Sequence, residues 1–322
     1  MNIFERFQVF FILAAVALGL LLGNLNWVAA NASLFITPFL MAMLFGVFLQ
    51  VPLNHLGTAL KDFRFTGLSM AMNFIWTPAL AFLLGYLFLG GAPDLWVGLI
   101  MLMVTPCTDW YIVFTNIACG NVPLATVQLP WKLLLQLLLL PIYLLLLAGA
   151  IVEINTAILF TSLVQVLVVP FILALITRRL LLLKKNESWL EAQVLPKVSI
   201  MQFVFLALTI MAMFASQGEI LLQNPAIVLR LLPPIILFFA INFLLGQGIG
   251  RLFKFSYENV ACFNFTTLAR NSPLALAIAV SAFPDRPLIA LVLIIGPLIE
   301  LPVLTVIAQV LLFLRKKEFW PN

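Results

Sequence analysis

Apolar runs close to the length of a membrane span follow one another along almost the whole chain, separated by short connectors. A helix needs about 20 predominantly apolar residues to cross the hydrocarbon core of a bilayer. Hydrophobic residues fill 64% of the 322 positions and charged residues only 9%, whereas a soluble domain carries roughly a quarter charged. No water-soluble fold hides that much apolar surface, so lipid is the solvent for most of this chain. In lipid every backbone N–H and C=O must be satisfied within the protein, which leaves helices as the spanning form for runs of this length. The expectation is an all-α membrane protein with little material for an extramembrane domain.

Hydropathy and helix breakers predict ten spans, near 8–24, 34–53, 66–90, 95–118, 124–149, 158–180, 197–216, 225–250, 258–282 and 287–314. The first run, Phe7 to Leu22, follows Arg6 but ends without a small-residue cleavage site, and reads as a span and not a leader. Under a ten-span count thirteen basic loop residues fall on one side: Arg6, Lys61, Arg64, Arg178, Arg179, Lys184, Lys185, Lys197, Arg251, Lys254, Arg315, Lys316 and Lys317. Only Arg230 and Arg286 fall on the other. This positive-inside bias puts both termini in the cytoplasm of a multi-pass protein of the cytoplasmic (inner) membrane. The net charge of +5 is therefore topological, and no nucleic-acid partner is expected. Cys107, Cys119 and Cys262 are odd in number and lie in or beside apolar segments, which speaks against a disulfide framework.

The two halves echo each other. Phe82-Leu-Leu-Gly85 recurs as Phe243-Leu-Leu-Gly246, and Leu140-Pro141 recurs as Leu301-Pro302 at the same separation. Five spans per half is an odd number, so the second copy, residues 152–322, inserts upside down relative to the first, residues 1–151. Inverted repeats of this kind mark secondary transporters.

Four ionisable residues lie inside spans: Asp109, Lys132, Arg270 and Glu300, with formal charges that sum to zero. A charged residue at mid-membrane costs about 2.5–3.5 kcal/mol on insertion scales and by default marks a functional site. Spans four and nine, which correspond in the two halves, are also the interrupted ones. The fourth reads Thr105-Pro106-Cys107-Thr108-Asp109 and the ninth Ala269-Arg270-Asn271-Ser272-Pro273. Pro106 and Pro273 each remove a backbone donor and clash with the preceding turn, and such breaks survive in a membrane only where they are buried in protein or line a cavity. Broken helices in equivalent positions point to a solute site between them. Asp109 and Arg270 can belong to that site or form a buried pair that fastens two helices. Glu300, after Gly296-Pro297, is a proton carrier or a charge partner for Lys132. His55 reads as an interfacial histidine at the end of span two. With one histidine, no metal-ligand cluster, no Gly-x-Ser-x-Gly elbow and no Cys–His pairing, the chain is not read as an enzyme. No cofactor is expected.

Pro106-Cys107-Thr108, followed by Gly120-Asn121-Val122 and Gln128, resembles the fourth span and onward turn of the arsenite permease family, and Gly296-Pro-Leu-Ile-Glu-Leu-Pro-Val303 is similar to its tenth-span motif. Gly120-Asn121-Val122 and Asn271-Ser272 are similar to the bile acid–sodium symporters of the same superfamily. The resemblance implies two inverted five-helix repeats arranged as a core and a panel domain, with helices 4 and 9 broken and crossing. It implies an arsenite or metalloid efflux permease in which Cys107 contacts As(III), Asp109 or Glu300 carries a proton and Arg270 is an internal counter-ion. The chain departs from the family at Ala275, where arsenite permeases carry a glutamate, and at Asp109, which replaces a small apolar residue. Carrying over the symporters' sodium ligands gives Tyr111, Ile112, Ala125, Leu129, Thr266 and Arg270, mostly without the hard oxygens sodium requires. Coupling is thus expected to protons or the membrane potential. The alternative is a carrier of a small organic anion with Arg270 and Lys132 as carboxylate receptors.

Overall fold

The computed structural model describes residues 3–51, 62–108, 110–223 and 225–317. Among these, every regular element is a helix. In chain order they are α1 (Ile3–Gly23), α2 (Asn26–Asn31), α3 (Ser33–Leu49), α4 (Phe63–Leu89), α5 (Pro93–Met103), α6 (Trp110–Ile117), α7 (Val122–Ala148), α8 (Thr156–Lys184), α9 (Leu195–Gln223), α10 (Pro225–Leu252), α11 (Tyr257–Leu268), α12 (Ser272–Ala282) and α13 (Pro287–Lys316). A short turn at Glu187–Trp189 and a π-helical turn at Leu190–Val194 lead into α9. Among the described residues six helical segments are long and apolar enough to cross a membrane: Phe63–Leu89, Val122–Ala148, Thr156–Lys184, Glu187–Ser216, Pro225–Leu252 and Pro287–Lys316. Large apolar side chains such as Leu83, Leu87, Leu229 and Leu244 stand exposed on them, as they must on faces turned to lipid chains. The protein is a multi-pass membrane protein.

The spans expected at 95–118 and 258–282 are each two shorter helices, α5 with α6 and α11 with α12. Asp109 and His55 lie outside the described residues. Hydropathy gave no sign of the π-helical turns inside α4 (Met72–Trp76), α7 (Leu144–Ala148) and α8 (Val164–Val168). The turn in α4 precedes Pro78, which cannot donate to the Phe74 carbonyl. That carbonyl accepts the Tyr143 hydroxyl at 2.5 Å instead.

The chain divides into two compact units, each drawing on both halves of the sequence. The first comprises Met1–Val51, Asn155–Ile227 and Leu276–Leu291. In it α1 lies against α9 so closely that a Cβ at Gly19 would come within 2.5 Å of the Met211 carbonyl oxygen, the small-residue contact by which membrane helices pack without a hydrophobic driving force. α9 also packs on α3, where Gln50 donates to Gln202 at 2.5 Å. Arg178 of α8 closes the end of α3 by donating to the Leu49 and Val51 carbonyls at 3.0 and 2.9 Å, and it pairs with Glu187.

The second unit comprises Pro52–Ile154, Val228–Ala275 and Val292–Asn322. Two of its helix contacts depend on the glycines of the recurring motif. A Cβ at Gly85 would stand 1.8 Å from the Trp96 ring, so α4 and α5 meet there, and one at Gly246 would stand 2.5 Å from Asn264 Oδ1, where α10 meets α11. α7 starts at Asn121, whose side chain caps it by accepting the Leu124 N–H at 3.0 Å.

Candidate functional site

Both helix breaks lie in the second unit, and they are bonded to each other. α5 stops at Met103 because Pro106 supplies no donor to the Leu102 carbonyl; Thr105 folds back and gives its hydroxyl to the Met101 and Leu102 carbonyls at 3.0 and 3.1 Å. α11 stops at Leu268, where Ala269 turns extended (φ −69°, ψ 136°). The two extended strips then pair antiparallel at Pro106 and Arg270. Cys107 N–H donates to the Ala269 carbonyl at 2.9 Å, and Asn271 N–H to the Thr105 carbonyl at 2.6 Å.

The helices that resume beyond the breaks are capped in the same way. Asn271 Oδ1 accepts the Leu274 N–H at 3.2 Å at the start of α12, and Cys107 Sγ accepts the Trp110 N–H at 3.2 Å at the start of α6. Asn271 Nδ2 also reaches Thr108 Oγ1 at 3.5 Å. Pro273 falls in the first turn of α12, where its missing N–H leaves no bond broken. The break before it is held by Ser272, whose hydroxyl donates to the Leu293 carbonyl of α13. Leu293 lies four residues before Pro297, so that carbonyl has no N–H to accept within its own helix.

The carbonyl ends of α5 and α11 face inward, and a helix leaves its last carbonyls without intrahelical partners. Here each is matched. Ile100 O takes the Val104 N–H at 2.9 Å and Phe265 O the Ala269 N–H at 3.1 Å. The Arg270 guanidinium donates to Met103 O at 2.8 Å, to Leu268 O at 3.1 Å and to Thr267 O, and gives a further bond to Asn73 Oδ1 at 2.9 Å. Thr266 O accepts Lys132 Nζ at 2.6 Å and Asn73 Nδ2 at 3.0 Å. Both cations also lie over aromatic faces, Lys132 Nζ 4.1 Å from the Tyr111 ring centre and Arg270 Cζ 5.4 Å from that of Phe238. Glu300 Oε1 accepts the backbone N–H of Arg270 at 2.8 Å. Arg270, Lys132 and Glu300 are 2%, 0% and 3% exposed.

Of the residues expected at the site, Pro106, Cys107, Thr108, Arg270, Asn271, Ser272 and Glu300 are thus joined in one bonded network at the crossing. Lys132 joins through the Thr266 carbonyl; among the described residues its hydrogen bond is to that carbonyl and not to Glu300. Asn73, which is not among the expected site residues, holds Arg270, while Thr266 and Tyr111, offered by the resemblance only as sodium-ligand positions, hold Lys132 through a backbone carbonyl and a ring face. A signal for Asn73 existed, an amide in an otherwise apolar run five residues before Pro78. On α7, Gln128 and Gln136 lie one turn to either side of Lys132, all three fully buried, and among the described residues neither amide has a hydrogen-bond partner. No group of three or more His, Cys, Asp or Glu able to hold a metal occurs among the described residues.

An all-helical membrane chain in which two broken helices cross around buried charge has the features of a secondary carrier. Residues 37–224 match the sodium bile acid symporter family, to which this chain belongs. It is 27% identical to the arsenical-resistance protein Acr3 of Corynebacterium glutamicum, over 99% of this chain and 91% of that protein. It is 25% identical to an uncharacterized transporter of Synechocystis sp. (99% and 90%) and 23% identical to the Acr3 of Alkaliphilus metalliredigens (95% and 92%). The protein is a secondary transporter for a small solute, not an enzyme.

Proposed function

We propose that the protein exports arsenite, or a trivalent metalloid of like chemistry, driven by protons or the membrane potential and not by sodium. In this reading it lies in the cytoplasmic membrane with both termini inside the cell. The observation that carries it is the place of Cys107, a buried thiol on the extended strip where the two broken helices are bonded together. As(III) is a soft centre and thiolate a soft ligand. Arsenous acid can trade one hydroxide for the sulfur: an As–O bond breaks, an As–S bond forms, and the thiol proton leaves with the hydroxide as water. Two full-length relatives bearing the name arsenical-resistance protein support the same substrate.

Glu300 is the proposed proton carrier, because its carboxylate holds the backbone of the crossing itself. Asp109 is the other acid the sequence offers. Arg270 serves as an internal counter-ion and brace. Four of its N–H contacts go to the protein's own oxygens, which does not favour a role as receptor for an organic carboxylate. We hold residues 1–151 and 152–322 to be inverted repeats forming core and panel; the matched roles of Gly85 and Gly246 support this.

The test is arsenite accumulation in everted membrane vesicles, wild type beside Cys107→Ser, with and without an imposed proton gradient. Accumulation that falls at least tenfold in Cys107→Ser and collapses with the gradient is expected. Accumulation equal in both proteins would remove the thiol from the mechanism, and none above empty vesicles would remove arsenite.

A further inference from the structure

The carbonyl ends of the broken helices raise a question of charge. In membrane carriers, unwound backbone and the carbonyl ends of half-helices are where coupling cations bind, because each end carries about half a negative charge and its oxygens replace water of hydration. In this protein two such ends, α5 and α11, come together in one unit with the Asn73 amide oxygen beside them. A monovalent cation would have a ready set of hard ligands there: the carbonyls of Met103, Thr266, Thr267 and Leu268.

Each of those oxygens is already bonded to a side-chain cation. Arg270 takes three of them and Lys132 the fourth. The lysine ammonium is a compact charge comparable to a potassium ion. It enters from a different helix, α7, and is seated with a carbonyl oxygen on one side and the Tyr111 π face on another, surroundings of the kind that suit a small cation. A mobile cation entering this place would meet two fixed positive charges and no vacant oxygen among these four.

We infer that Lys132 and Arg270 are resident cations, tethered in the place a mobile coupling cation would occupy, and that Lys132 in particular stands in for one monovalent ion. The inference deepens the sodium-independent part of the proposed function and is separate from the identity of the solute. It carries a gain-of-function consequence. Removing the ammonium while leaving the Thr266 carbonyl and Tyr111 ring in place should open a site that sodium or potassium can fill.

Purified wild-type, Lys132→Ser and Lys132→Arg proteins would be melted, with tryptophan fluorescence as readout, in choline chloride and in sodium or potassium chloride at matched ionic strength. Wild type and Lys132→Arg are expected to melt at the same temperature in all three salts. Lys132→Ser is expected to melt several degrees lower in choline and to recover saturably as sodium or potassium replaces it. A saturable rise in the wild-type protein overturns the inference, as does a folded Lys132→Ser that ignores the cation. If Lys132→Ser cannot be recovered folded, binding of radioactive sodium to the wild-type protein decides: one saturable site per chain refutes the inference and none sustains it. Arsenite does not enter this experiment, so a failure here leaves the role of Cys107 standing, and a failure of Cys107 in vesicles leaves this inference standing.

Discussion

At the scale of single residues, the site is built from side chains that repair the damage done by two helix breaks and by a proline inside α13. Thr105 covers the carbonyl released by Pro106, Ser272 covers the one released by Pro297, and Arg270 and Lys132 cover the ends of α5 and α11. Leaving a buried polar group unpaired costs about 1–3 kcal/mol, so each of these side chains is tied to the stability of the crossing. Glu300 allows the structural and transport roles to be separated. In Glu300→Gln the amide oxygen can still accept the Arg270 N–H, but the side chain can no longer exchange a proton. We expect that variant to melt within a few degrees of wild type while its arsenite accumulation loses its response to an imposed proton gradient. Accumulation that still follows the gradient would move the proton to another group. The sequence named Glu300, Arg270 and Cys107 because a charge or a thiol beside a proline in an apolar span is conspicuous. It could not name Met103, or the part Thr266 plays, because both act through backbone carbonyls that every residue has.

Helix α13 shows how an element is made to serve another. Pro297 lies inside it without ending it, and the cost of the lost bond is met by a hydroxyl from the start of α12. This predicts energetic coupling. Ser272→Ala alone should destabilise by about 1–3 kcal/mol, since the Leu293 carbonyl is left unpaired. In Pro297→Ala the helix regains its own N–H, so adding Ser272→Ala to that background should cost much less. A double-mutant cycle read by thermal unfolding should give a coupling of about 1 kcal/mol or more, and additive effects would show that the two residues act independently. At this scale the sequence was informative about type and poor about detail. The long apolar runs marked the helices, and the polar segments around Pro106 and Pro273 marked the breaks, while Pro38, Pro141 and Pro297 lie inside helices that continue. The π-helical turn at Met72–Trp76, which carries Asn73, has no hydropathy signature because it changes the hydrogen-bond register and not the composition.

For the whole molecule, the distribution of Lys and Arg among the connectors sets the expected orientation, with Cys119 in a connector on the cytoplasmic side. Cys119 is exposed whereas Cys107 and Cys262 are buried. A membrane-impermeant maleimide should therefore label Cys119 in everted vesicles and leave it unlabelled in intact cells; labelling from outside would invert the topology. The sequence by itself determined that this chain is helical and lives in a membrane, because lipid tolerates no unpaired backbone and few charges, and both constraints act locally on composition. It also pointed to the two broken spans, because there a proline stands among small polar and charged residues, whereas prolines such as Pro141 and Pro297 in apolar surroundings leave their helices continuous. Only the tertiary structure decided what those breaks are for. Whether Arg270 pairs with an acid, binds a solute or caps a neighbouring helix depends on which oxygens lie within hydrogen-bond reach of its guanidinium, and two of these, Met103 O and Asn73 Oδ1, belong to residues far away in the chain.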